Sequence, residues 1–381
     1  MPLDELMQKL IHATPGQKSF LSVYLDLSPD RSGKKRHTIF LKNRLSEITN
    51  LLPTHSAQRS LLAKDIKRVQ KYLEEDLDPA WKGLALFACA ADDLFVPVPM
   101  PFPPQNALDL APYPHLFSLI RHADLYKTHA VVAAGSRQAR LFLVSLGRPE
   151  KQLTLSWEEK HTTRFERMGW SLPRFERHLK EHIKQRAKEI AENLEKLINS
   201  GKTEYLFSVA EEGMEAELKK QLSTDLKKKL VPLPSLEPHD PDHKILSASI
   251  ESLRTISRER AEALARQILE EAEPLGQATA GPEPTLSALQ NHQIERMVLD
   301  ARFKATGWRC PKCCCLGSGG SPSECPFCQG EICSAELREE IVAKAKSQGV
   351  ELFFTENFSP LIRSGGIAAL LKYKTPKRTK R

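Results

Sequence analysis

The sequence predicts an α/β protein built as three consecutive mixed α/β domains, the third interrupted by a cysteine-rich insert. Short runs of β-forming residues alternate with segments of helical period along the whole chain. At 381 residues the chain is too long for one typical domain and suits two or three. A proline-rich break, Leu233 to His243, falls between two such alternations. The expected boundaries are 1–122, 123–243 and 244–381, with the insert at 308–333.

Residues 1–10 read as a short amphipathic helix. Phe20–Leu27 alternates and is rich in β-formers, so it reads as a strand. Thr38–Leu52 and Ala57–Leu77 follow a helical period. Leu84–Ala90 and Leu94–Pro99 form a hairpin around Ala91, Asp92 and Asp93. The stretch Pro97–Gln105 carries five prolines, which exclude a helix or a central strand and leave an extended edge or a linker.

In the second domain, His129–Ala134 and Ala139–Leu146 pair around Gly135–Arg137, and Gln152–Trp157 adds a third strand. A basic loop, 161–172, leads into a long helix. Its apolar residues Phe175, Leu179, Ile183, Ile190, Leu194 and Leu197 recur at three- and four-residue steps. Ser171 can cap its start, Pro173 is tolerated only in a first turn, and Gly201 is placed to end it. Glu204–Ala210 is a strand, Met214–Thr224 a helix and Lys229–Leu233 a short strand.

The third domain begins with a helix over Lys244–Glu273, whose Ile250, Leu253, Ile256, Ala261, Leu264 and Ile268 face one way. Gly276–Pro284 reads as a flexible connection. Leu286–Asn291 looks helical and Ile294–Asp300 strand-like. After the insert come a helix over Ala335–Ser347 and strands at Val350–Thr355 and Ile367–Tyr373. The basic end, Lys372 to Arg381, reads as a disordered tail that either touches nucleic acid or is simply solvated.

A net charge of +8 and a pI near 9 favour a polyanionic partner, since phosphate contacts are the simplest use of a basic surface. The apolar runs are too short to span a bilayer, and MPLDELMQKL has no basic start followed by an apolar core. No membrane association and a cytoplasmic location are therefore expected. Seven of the eight cysteines lie between Cys310 and Cys333, while Cys89 sits in the apolar run Leu84–Ala90 as a small buried hydrophobe.

Cys310-Pro-Lys-Cys313 and Cys325-Pro-Phe-Cys328 are separated by eleven residues. Each pair presents two thiolates from one tight turn, and four thiolates complete a tetrahedral Zn2+ site. With no open coordination position the zinc is expected to be structural, in a zinc-ribbon-like insert. Clustered Cys-x-x-Cys pairs in a cytosolic chain point to metal more than to disulfides. Cys314, Cys315 and Cys333 are surplus, and one of them could replace a ligand. A redox role for one pair is the alternative.

Arg164, Arg167, Arg174, Arg177 and Lys180 crowd the loop and the first helical turns. Positive charge at a helix N-terminus is disfavoured by the helix dipole, so the cluster gains most from an anionic partner such as RNA. Pairing with Glu166, Glu176 and Glu181 is the plain alternative. Trp170, beside Gly169, either stacks on an unpaired base or packs back on the helix. His178 and His182, one turn apart, have no visible third ligand and read as surface residues. Lys34, Lys35, Arg36 and His37 either grip phosphates or form a solvated loop.

With these pieces in order, the chain resembles the archaeal and eukaryotic class-I release factor and Pelota superfamily, including its bacterial homologues. Ser22–Leu25 followed by Phe40–Leu45 is similar to the first strand and helix of that family. The basic loop and long helix lie where its central domain has the catalytic loop. The cysteine pairs lie where archaeal members carry a metal-binding insert. Gly349–Phe353 and Gly365–Tyr373 resemble the close of its third domain. The resemblance implies a tRNA-like arrangement of the three domains. It also implies binding in the ribosomal A site, with rRNA and the tRNA acceptor end as contacts. A translational GTPase such as elongation factor Tu is a further implied partner.

The departures bear on activity. Active release factors carry Gly-Gly-Gln at the loop tip, and some bacterial relatives carry Gly-Gly-Trp-Ser-Gln. Here the stretch is Met168-Gly169-Trp170-Ser171-Leu172, so Met and Leu stand where the Gly and the Gln would be. An Asn-Ile-Lys-Ser stop-codon motif is also missing. His161 or Glu166 is the remaining candidate for a general base. The expectation is a ribosome-binding factor for stalled or idle ribosomes, in rescue or hibernation, without peptidyl-tRNA hydrolysis. Gly169, Trp170 and Ser171 would then be a contact tip. A peptidyl-tRNA hydrolase and a general RNA-binding protein are the alternatives.

Overall fold

Alternation along β1 (Phe20–Asp26) sends Leu21, Val23 and Leu25 into one core, while Phe20 and Tyr24 on the other face are also buried. The computed structural model describes residues 7, 9–11, 19–29, 36–79, 81–100, 102–145, 147–157, 172–198, 203–272, 276–320 and 322–373. The chain divides into two compact units. One joins Met1–Asp124 to Arg258–Arg381, and the other is Leu125–Ser257. Both are mixed α/β, as expected.

In the first unit, β1 pairs with β2 (Gly83–Cys89), which pairs with β3 (Leu94–Met100). On its other side β1 pairs with β4 (Ala107–Ala111), giving the antiparallel order β3-β2-β1-β4. Helices α1 (Arg36–Leu51) and α2 (Ala57–Glu75) cover one face through Leu41, Leu45, Leu62 and Val69. Ser56 caps α2 by accepting from the Arg59 amide. The hairpin turns where expected, with Asp93 at φ 48. Pro97 and Pro99 fall on the outer strand β3, opposite Leu86 and Leu84. Cys89 is fully buried.

The second unit has the sheet order β7-β6-β5-β8-β9. Its strands are β5 (His129–Ala134), β6 (Gln138–Ser145), β7 (Arg148–Ser156), β8 (Tyr205–Ala210) and β9 (Leu230–Pro232). β5 and β8 run parallel, and both faces of β5 are buried. On one face Ala130, Val132 and Ala134 meet Ile190 and Leu194 of the long helix, α4 (Leu172–Ile198) once α3 (Phe117–Leu125) is counted. The same core takes Met214 and Leu218 of α5 (Glu212–Gln221) and Leu226 of α6 (Thr224–Lys229). On the other face Val131, Ala133 and Phe207 meet Ile245 and Leu253 of α7 (Asp242–Glu271).

One expectation is corrected here. Leu179 is 49% exposed and lies outside the buried stripe of α4; among the described residues the core reaches that helix from Ile183 onward. Along α7, Leu253 belongs to the core just described, while Ala261, Leu264 and Ile268 pack beneath the sheet that follows.

That sheet has the order β10-β16-β11-β15. It comprises β10 (Ala278–Ala280), β11 (Ile294–Asp300), β15 (Glu351–Thr355) and β16 (Ile367–Leu371), with β11 and β15 parallel. Gly276–Pro284 is therefore not a flexible connection. Ala278, Thr279 and Ala280 pair with Leu370, Ala369 and Ala368. Gly281, at φ 91, then turns the chain into α8 (Pro282–Gln290), whose Pro282 occupies a first-turn position. Asp300, 1% exposed, accepts from the amides of Arg302 and Phe358 and from Thr355 Oγ1 at 3.0, 3.3 and 3.3 Å. It thereby ties the ends of β11 and β15 to the start of α10 (Ser359–Arg363), with α9 (Leu337–Ser347) preceding β15. No helix among the described residues is long and apolar enough to cross a membrane.

Candidate functional site

Between β11 and α9 the chain forms a small three-stranded ribbon, β13-β12-β14. Its strands are β12 (Thr306–Arg309), β13 (Leu316–Ser318) and β14 (Cys333–Glu336). The two cysteine pairs fold as near copies of one turn. The Cys310 amide donates to the Cys315 carbonyl and the Cys325 amide to the Gly330 carbonyl, both at 2.9 Å. The residue after each second cysteine takes a left-handed conformation, with Cys314 at φ 56 and Gln329 at φ 57. These turns bring the four sulfurs of Cys310, Cys313, Cys325 and Cys328 within 4.8 Å of one another. Cys310–Cys328 and Cys313–Cys325 are 3.4 and 3.5 Å apart. A tetrahedron of sulfurs about 2.3 Å from a central ion has edges of about 3.8 Å, so the arrangement fits a four-thiolate metal site.

The electrostatics agree with that fit. The Cys313 amide pulls the Cys310 thiol down to about 6, whereas burial pushes the Cys313 thiol up to about 11. Four crowded sulfurs cannot all be anions without a cation among them. Cys314 and Cys333 are exposed and lie outside the cluster, so the surplus cysteines do not replace a ligand in this arrangement. A cavity of about 510 Å³ borders the cluster at Cys313 and Cys314.

Packing fixes the ribbon. Trp308 is 6% exposed and lies flat over Gly317, where an added Cβ would stand 2.2 Å from the indole. Gly307 faces the Gly317 carbonyl at 2.0 Å by the same construction. Gly317→Ala is therefore expected to destabilise the ribbon by about 2 kcal/mol, as overpacking does. A shift of Trp308 fluorescence at lower urea than in the parent would show it; an unchanged midpoint would refute it. Arg309 pairs with Glu340 of α9 at 3.2 Å, and both side chains are nearly buried.

The second candidate region is the segment between β7 and α4. Residues 158–171 lie outside the described residues, and with them Arg164, Arg167, Gly169, Trp170 and Ser171. The Arg174 side chain lies outside them too. Arg177 and Lys180 are exposed on the first turns of α4, which has no acidic residue in its first turn. The N-terminal root of the segment is anchored to α4. Trp157 Nε1 donates to Glu189 of α4 at 2.9 Å, and the Arg186 guanidinium lies 5.5 Å from the centre of the Trp157 ring. Arg186 also donates to the Ser136 carbonyl in the β5–β6 turn. Sequence reasoning missed this clamp; its only signal was a tryptophan closing a strand just before a basic loop.

Residues 114–254 match the family model for bacterial archaeo-eukaryotic release factor family 10. The matched stretch includes the clamp, the basic segment and α4. Over residues 114–254, the resemblance to bacterial relatives of the archaeal and eukaryotic release factors read from the sequence is borne out. No curated protein matches the chain. Among solved structures, the archaeal translation termination factor aRF1 is similar at 15% identity over 97% of each chain, with a TM-score of 0.26. Pelota from Archaeoglobus fulgidus is similar at 12% identity over 77% of this chain and 79% of that one, with a TM-score of 0.34. A model of ribosome-bound archaeal Pelota and ABCE1 gives 12% identity, 98% and 95% coverage, and a TM-score of 0.42.

Proposed function

We propose that the protein is a ribosome-binding translation factor of the release factor and Pelota type, which occupies the A site of stalled or idle ribosomes without hydrolysing peptidyl-tRNA. The observation that carries this is the family match over residues 114–254, combined with a tip that reads Met168-Gly169-Trp170-Ser171-Leu172. The region keeps the family's frame but lacks the Gly-Gly-Gln that positions water against the ester. Gly169, Trp170 and Ser171 act as a contact tip. Arg164, Arg167, Arg174, Arg177 and Lys180 meet the phosphates of rRNA or of the tRNA acceptor end, helped by the positive end of α4. Cys310, Cys313, Cys325 and Cys328 hold Zn2+ as a structural ion that closes the ribbon. A translational GTPase is the further partner, and the protein works in the cytoplasm.

Purified protein is expected to co-sediment with idle ribosomes and to release no peptide from stalled complexes above a buffer control. Arg164→Ala with Arg167→Ala is expected to weaken ribosome binding about tenfold and to lower the salt slope by about one for each phosphate no longer touched. Failure to bind ribosomes at moderate salt would sink the proposal. Peptide release that disappears in Gly169→Val would establish the hydrolase instead. Equal affinity for ribosomes and for random structured RNA would establish a general RNA-binding protein.

A further inference from the structure

The segment after β4, Pro112–Arg121, is held against α9 and the end of β15 by one buried and one exposed polar contact, each spanning more than 200 residues of sequence. The Phe117 amide donates to Glu339 at 2.9 Å, and Glu339 is 4% exposed. The Phe117 ring meets Phe354 edge-on at 5.5 Å, and the Arg338 guanidinium lies 4.6 Å from its centre. Arg121 pairs with Glu356. His115 sits in the middle of the segment. Its amide donates to Ser22 Oγ, its carbonyl accepts from the Tyr24 hydroxyl, and its Nδ1 lies 3.5 Å from Asp109. Its ring stacks on Tyr113, with centroids 5.7 Å apart.

We propose that this seam is a pH-sensitive latch, tight while His115 is protonated beside Asp109 and loosened as the imidazole loses its proton. The ionisable groups around it come from every neighbouring element. β1 gives Tyr24, α1 Arg44 and β4 Asp109. The segment itself gives Tyr113, β12 gives Arg309, β14 gives Glu336, and α9 gives Arg338, Glu339 and Glu340. Across this set His115 is the one group whose ordinary pKa lies near neutral.

The signs agree. Burial alone lowers the His115 pKa, but the Asp109 hydrogen bond and the fields of Glu339 and Asp109 outweigh it and hold the group above its ordinary value. Its contribution is therefore full below the unfolded value of about 6.5 and is lost as pH rises through the folded value. Burial pushes the Glu339 carboxyl up, and this contribution also fades as pH rises through its folded value. The hydrogen bond to His115 holds Asp109 down, so its contribution is lost only below the ordinary carboxylate range near pH 4. The latch is tightest between the ordinary carboxylate range and about pH 6.5, and loosens as pH rises through the raised folded value of His115.

This inference does not depend on the ribosomal reading, and its test uses the full chain alone. Hydrogen exchange at Phe117–Arg121, corrected for intrinsic chemistry, is to be compared at pH 6 and pH 8. Protection is expected to fall severalfold in the parent. It is expected to fall distinctly less in His115→Gln, where only the Glu339 contribution remains, and Glu339→Gln is expected to keep more protection than the parent at pH 8. Equal parent protection at the two pH values would overturn the proposal. So would a parental slope in His115→Gln. If that variant fails to fold, the parent profile and Glu339→Gln decide between the same outcomes.

Discussion

Replacing Cys310 with Ser is expected to abolish metal binding and to unfold the ribbon from Thr306 to Glu336. Cys310 is fully buried, and the core it shares with Trp308 and Cys325 holds few other apolar side chains. So small a core cannot hold three short strands by burial alone. In four-cysteine sites of this kind, metal binding contributes about 10–16 kcal/mol and is coupled directly to folding. The loss of one of four thiolates should therefore collapse the ribbon rather than loosen it. Metal analysis should give no stoichiometric zinc, and Trp308 emission should move to the red. Cys314→Ser is the control. Its side chain is exposed and outside the cluster, so both readouts should stay at the parent value. Full zinc content in Cys310→Ser would show that another cysteine completes the site.

Asp300→Ala should have the next largest effect, a loss of about 3 kcal/mol of stability. The carboxylate accepts from two amides and a hydroxyl in an almost fully buried setting. Each buried donor left without its acceptor costs about 1–3 kcal/mol, partly recovered where water can enter. Arg302 also approaches Asp300, but that side chain is 63% exposed and adds little. Against a total of about 5–15 kcal/mol, the change should be plain in urea unfolding. Asp300→Asn keeps one acceptor and should fall between Ala and the parent. Equal midpoints for Ala and the parent would show that the three donors find other partners.

Long periodic segments were legible in the sequence because their pattern is set by one dominant core. β1, α2, β5, β8, β11 and β16 lie close to where alternation and helical period put them. The four cysteines were legible because metal geometry dictates spacing, whatever the surrounding fold. Pairings at short strands were not. β4 and β10 each owe their place to a neighbouring strand, and five or three residues hold too little alternation to announce it. Leu179 was misplaced because period reports which residues share a face, not how far the core extends along the helix. The seam around His115 was invisible for a different reason. Its partners, Phe117 and Glu339, are 222 residues apart, and neither belongs to a motif.

The two prolines of β3 have a consequence beyond the strand itself. Val96 and Val98 are buried within β3, while Pro97 and Pro99 alternate with them, opposite Leu86 and Leu84. A ring nitrogen has no hydrogen to give, so at these two positions the free rim of the sheet offers carbonyls but no matching donors. A strand from another copy of the chain, arriving at that rim, would find its ladder broken at every second residue. The same rigidity that ruled out a helix here thus protects a sheet edge that would otherwise invite self-association during synthesis and crowding.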